Sequence, residues 1–154
     1  MKGLEEYENK LLELQTISKT CIGEAIYEGA GVVADAVKAN IEALPIDNRR
    51  VKDGKMLTGI NEIQKQGLRE GFGIAKMQNE GGYVHVKLGF DGYNGIHSNS
   101  YPNGQPNSVI ARSVNSGSSF RQRIPFVDSA VNANREACVM RMVKKFNEVL
   151  EKNF

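Results

Sequence analysis

The sequence predicts an α+β domain, a small antiparallel sheet packed against long N- and C-terminal helices. Three observations lead there. Apolar residues recur at three- and four-residue steps over residues 1–44 and again over 125–154, the spacing of amphipathic helices. Residues 83–90 alternate apolar and polar, the period of a half-buried strand. Between these regions lies a Gly/Asn/Ser/Pro-rich stretch with no helical period.

Leu4, Tyr7, Leu11 and Leu14 mark the first helical segment, and residues 1–17 form a helical extension. The stripe continues through Ile22, Ile26, Val33, Val37, Ile41 and Leu44, giving a helix over much of 17–44. Gly29-Ala30-Gly31 interrupts it. Each glycine costs about 1 kcal/mol of helix stability relative to alanine, so the pair marks close helix packing or a bend. Pro45 ends the segment by excluding helical geometry from the residue before it. A polar connector follows, with a turn at Asp53-Gly54. A short helix is expected over 60–70, with Thr58 as its cap, Ile63 and Leu68 inward, and Gly71 and Gly73 stopping it.

Phe72–Gln78 and Tyr83–Phe90 read as two strands joined by Asn79-Glu80-Gly81-Gly82, a hairpin signal. Val84, Val86, Leu88 and Phe90 form the dry face, and Tyr83, His85 and Lys87 the wet one. Residues 91–107 read as loop, and 92–106 as weakly ordered for want of apolar anchors. A helix is expected over 108–116, capped by Asn107, then a turn at Gly117-Ser118-Ser119. Pro125 opens the last helix, striped by Val127, Val131, Cys138, Met142, Phe146 and Val149.

With 154 residues, 40% hydrophobic and 25% charged, the chain is one globular domain over 1–154, large enough to bury a core and outside the range of disorder. No apolar run approaches the ~20 residues of a membrane span. The first residues are charged throughout and lack a signal peptide's apolar core, which implies a protein made and kept in a cytoplasm. Cys21 and Cys138 read as buried thiols, with a disulfide between the two helices open on sequence grounds. The net charge of +2 is too small to imply nucleic acid. It is unevenly spread, with 6 Lys/Arg against 9 Asp/Glu in 1–50 and 9 against 5 in 51–125. That asymmetry suits either solvated faces or head-to-tail steering of copies.

His85 and His97 have no Asp, Glu, Cys or Ser at triad-like spacing. Asp47, Asp53 and Asp91 stand beside glycine or asparagine, where turn chemistry accounts for them, and no cofactor or metal set is expected. Arg112, Arg121 and Arg123 interleave with Tyr93, Tyr101 and Phe120. Such a mixture serves a protein interface or single-stranded nucleic acid. The Asn/Ser/Gly-rich setting favours the protein interface, with Tyr93, Tyr101, Asn103, Arg112, Ser118, Phe120 and Arg121 as its candidate residues.

Four runs carry a resemblance: G-F-D-G-Y-N at 89–94, Y-P-N-G-Q-P-N at 101–107, A-R-S-V-N-S-G-S-S at 111–119 and P-F-V-D-S-A-V-N-A at 125–133. In order and spacing the chain resembles the tail-completion and head–tail joining (minor tail protein Z-like) proteins of long-tailed bacteriophages and prophages, over most of 18–154. Family members typically have a long helix ending near a proline turn, an apolar-basic hairpin, a Gly-Ser turn and a Pro-Phe step into a closing helix. Many relatives carry Pro-Val-Asp-Thr-Gly after the first helix, where this chain has P-I-D-N-R-R-V-K-D-G. The resemblance implies a non-enzymatic virion part of the tail or neck, assembled in the bacterial host cytoplasm. Its partners would be other copies in a ring and the neighbouring tail and head-connector proteins, with no membrane. The alternative is a nucleic-acid-binding accessory protein that uses the basic middle.

Overall fold

The computed structural model describes residues 2–50 and 54–153. It is α+β, as the periodicity predicts. In chain order the elements are α1 (Lys2–Glu42), α2 (Glu62–Gly71), β1 (Phe72–Ile74), β2 (Gln78–Glu80), β3 (Tyr83–His85), β4 (Leu88–Phe90), α3 (Asn107–Ser116) and α4 (Phe126–Asn153). Asp53 of the expected Asp53-Gly54 turn lies outside the described residues. Gly54 has φ +74°, a value suited to a turn glycine.

The first two expected helical pieces are one helix of 41 residues. Gly29 does not bend it. A Cβ there would run into the Met142 Cγ and approach the Cys138 Sγ to 3.1 Å, so the glycine lets α4 lie close against α1. Nothing stands within 4 Å of the corresponding point on Gly31. The two long helices are antiparallel: Asn40 Nδ2 donates to the Phe126 carbonyl near one end, and Arg141 pairs with Glu28 farther along. The buried stripe includes Cys21, Ala25, Val33, Val37 and Ile41, whereas Ile22 faces solvent. Cys21 and Cys138 are both free thiols, and burial pushes the Cys138 thiol up.

One core joins Val37 and Ile41 of α1, Leu68 of α2, Ile110 and Val114 of α3, Phe126 and Ala130 of α4, and Leu44 and Ile60 of the connector. Each large member contributes about 1.5–3 kcal/mol by leaving water. Helix ends are satisfied largely from neighbouring elements. Lys65 Nζ donates to the carbonyls of Glu42 and Leu44, supplying the cation that the last turn of α1 lacks. Asn115 Oδ1 accepts from the amides of Val127 and Asp128 at the start of α4. The cap of α2 is Asn61, in a reciprocal capping box with Gln64, not Thr58. Its inward residues are Gln64, Gly67 and Leu68, and Ile63 is exposed. The N-cap of α3 is Pro106, which has no side-chain acceptor, and Asn107 is the first helical residue, its Nδ2 donating to the Asp91 carbonyl.

The hairpin closes through Gly81-Gly82, with φ +59° and +90°, the two positive values of a type I′ turn. Its ladder is broken. Ile74 pairs with Leu88 and Gln78 with His85, so Ala75, Lys76 and Met77 on one arm face only Val86 and Lys87 on the other. One extra residue is a bulge, and a one-residue shift exchanges the faces of the strand beyond it. On the opposite arm the expected alternation holds at Lys87, Leu88, Gly89 and Phe90 and fails at His85. That residue is half-buried like Val84 and Val86, and its Nδ1 has no partner among the described residues. The bulged arm is pinned to α1, where the Met77 amide donates to the Tyr27 hydroxyl and the Met77 side chain lies on Gly23. At the base, Phe72 meets Phe90 at a tilt and Phe90 meets Phe126 edge to face, with ring centroids 5.1 and 6.0 Å apart.

The close contact at Gly29 generates a paired prediction. Gly31→Ala raises stability by about 1 kcal/mol through helix propensity. Gly29→Ala lowers it by about 1 kcal/mol or more, because overpacking against Met142 outweighs that gain. Urea unfolding of both variants checks this, and equal effects at the two sites would contradict it.

Candidate interaction site

Residues 91–107, read as loop, carry a network of hydrogen bonds among their own polar side chains and backbone. Asn94 is buried, and its Oδ1 accepts from the amides of Ile96 and Gln105. Its Nδ2 and the Gln64 Nε2 both donate to the Gln105 Oε1. Ser98 and Tyr101 exchange bonds at the tip, and Gly104 passes against the Asn94 carbonyl at φ +104°. Asparagine and glutamine act here as Asx-type staples in place of an apolar anchor.

This loop forms one wall of a cleft of about 510 Å³, with the connector 45–61, α3 and the turn after it forming the others. The floor is charged and buried. Arg121 is 4% exposed, donates to the Gly59 carbonyl and the Ser113 hydroxyl, and lies 5.9 Å from the Phe120 ring centroid. Burial pulls its pKa down, and the charge of Asp47 works the other way. Asp47 accepts from the Arg49 guanidinium at 2.7 and 2.9 Å and from the Thr58 amide at 2.8 Å. The Arg49 side chain first, and the Thr58 amide second, hold its carboxyl well below the usual carboxylate range, against the opposing effect of burial. Backbone bonds finish the frame: Leu57 donates to the Phe120 carbonyl and Gln122 to that of Leu57.

Of the candidate interface residues, Tyr101, Phe120 and Arg121 meet at this cleft, with Arg121 in its floor instead of on a contact surface. Ser118 shapes the turn, its hydroxyl accepting from the Phe120 amide, and Asn103 is exposed on the loop. Tyr93 is exposed on the α2 side of the loop, beside Ile63 and Gly95. Arg112 borders a different groove, of about 570 Å³, between the hairpin base and the start of α4. The basic–aromatic set is thus dispersed, and Arg123 turns toward Asp128 and the Asn115 carbonyl. Sequence reasoning missed Asp47, Asn94 and Gln105, and the polar residues inside a loop were the available signal. Among the described residues no three His, Cys, Asp or Glu side chains are grouped to hold a metal, and no helix is long and apolar enough to cross a membrane. No family model, curated protein or solved structure matches the chain.

Asp47 makes the cleft acid-sensitive. A carboxyl whose folded pKa lies below its unfolded value adds stability that is fully present above about pH 4 and is lost as pH falls toward the folded value. The urea midpoint of the wild type should therefore fall more steeply below about pH 4 than that of Asp47→Asn. Parallel pH profiles would contradict this assignment.

Proposed function

We propose that this chain is a structural virion protein of a long-tailed phage or prophage, acting without catalysis in tail completion or head–tail joining. One observation carries the reading. Two of the runs that bear the resemblance, 101–107 and 111–119, place Tyr101, Gln105 and Ser113 in one cleft, which also holds Phe120. The Pro125-Phe126 step seats Phe126 in the core and starts the closing helix. A firm helical frame presenting a stapled loop and a cleft with aromatic residues on its walls suits contact with neighbouring subunits. In this reading the partners are further copies in a ring and the adjacent tail and head-connector proteins, and the place of action is the tail or neck.

The burial of Arg121 and the turning of Arg123 toward Asp128 favour protein over nucleic acid as the partner. Particles produced without the chain should appear by electron microscopy as separate heads and tails. Normal infectious particles would overturn the proposal. Tyr101→Ala combined with Phe120→Ala should lower infectious titre about tenfold or more, the scale of losing two aromatic anchors, while the purified variant stays folded. DNA binding with a steep salt slope would instead favour the nucleic-acid role.

A further inference from the structure

The two long helices are unequal partners. Gly29 of α1 lies against Cys138 and Met142 of α4. Counting outward from that contact at 1.5 Å per residue, the last residue of α4 reaches about residue 17 of α1. The preceding part of α1 runs on for about 20 Å with no helix beside it among the described residues. Its apolar stripe is in the open, with Leu4 59%, Tyr7 62% and Leu11 45% exposed. Leu4 and Leu11 fall in line, at multiples of seven residues, with buried Ala25, and Tyr7 falls in line with buried Cys21. The overhang thus continues a side of α1 that is buried farther along (Leu14 lies outside the described side chains). Residues 3–16 carry four glutamates and one lysine, a charge of -3.

The outer side of α4 presents the complement. Val139, Met140 and Val143 are exposed, the last two at 72% and 54%. Residues 135–145 hold four basic residues and one glutamate; with Arg141 paired to Glu28 of α1 the remaining charge is +2, and Arg135 and Lys144 flank the stripe at helical spacing.

We propose that the α1 overhang of one copy docks on the outer stripe of α4 of a second copy. Apolar stripe then meets apolar stripe, and opposite charges lie along both rims. Each copy has one donor overhang and one acceptor stripe, so the contact either closes reciprocally as a two-fold dimer or repeats head-to-tail as a ring or a filament. Charge disfavours the alternatives: two overhangs facing each other would repel, and so would an overhang at an anionic membrane. The surface is small, so association should be reversible, concentration-dependent and weakened by salt.

This proposal supplies a contact for the copies of the virion reading but rests on the two helix surfaces alone, and its test uses the purified full chain. Sedimentation velocity at low salt should show self-association of the wild type. Reversing the overhang (Glu5→Lys, Glu8→Lys, Glu13→Lys) or the stripe (Arg135→Glu, Lys144→Glu) should each raise the concentration needed by about tenfold or more. Mixing the two variants should restore association, because each then offers the surface the other lacks. A monomeric wild type would overturn the proposal. Loss of association in the overhang variant alone, or a mixture that stays monomeric, would do so too, because the overhang would then bind elsewhere. Circular dichroism on both variants separates lost docking from lost folding.

Discussion

The buried guanidinium of Arg121 is the constraint on which the non-helical half of the molecule depends. It reaches the Gly59 carbonyl in the connector and the Ser113 hydroxyl on α3 from its own place in the turn after α3. The connector, α3 and the turn after it are thereby fixed to one point. A buried cation is costly unless hydrogen-bonded, and here the acceptors are the carbonyl of buried Gly59 and the hydroxyl of half-buried Ser113. Asp47 supplies the nearby negative charge and is itself held by Arg49 and Thr58. The loop 91–107 closes the cleft opposite this arrangement, resting on α2 through Gln64 and Gln105.

The helical half follows a different rule. The α1/α4 pair is set by shape, with Gly29 admitting Met142 and with Phe126, Ala130 and Val149 buried along α4. Helix packing of this kind tolerates an overhang, because α1 is continuous whether or not α4 lies beside it. Packing at one end and exposure at the other give the molecule two unlike surfaces, a polar stapled cleft and an acidic apolar rod. A protein built to meet neighbours on more than one side would use both.

Much of this was legible in the sequence. The α4 stripe is buried or half-buried at every expected position, because a long amphipathic helix has little freedom in which face it hides. The α1 stripe was misread at Ile22 because apolarity alone does not separate an inward cysteine from an outward isoleucine. Asn61 was identifiable, since a glutamine three residues on completes the capping box, while Thr58 is drawn away by Asp47. Gln64 and Gly67 turn inward and Ile63 outward because a face of α2 receives the Asn94–Asn107 loop, where close approach demands glycine. The bulge carries no such mark. Three residues facing two is a property of the pairing, and neither strand shows it alone. Nor does any local signal predict that Arg121 is buried while Arg112 is exposed.

Hydrogen exchange on Arg121→Met tests most directly whether this side chain holds the cleft together. The substitution keeps much of the volume and orphans the Gly59 carbonyl and Ser113 hydroxyl. Each lost bond costs on the order of 1–3 kcal/mol, enough for a tenfold or greater change in local opening. The amides of Leu57, Ile60, Asn94, Gln105 and Gln122 should exchange faster together, while those in the middle of α1 and α4 keep their protection. Unchanged exchange at these five, or a uniform loss across both long helices, would contradict the account.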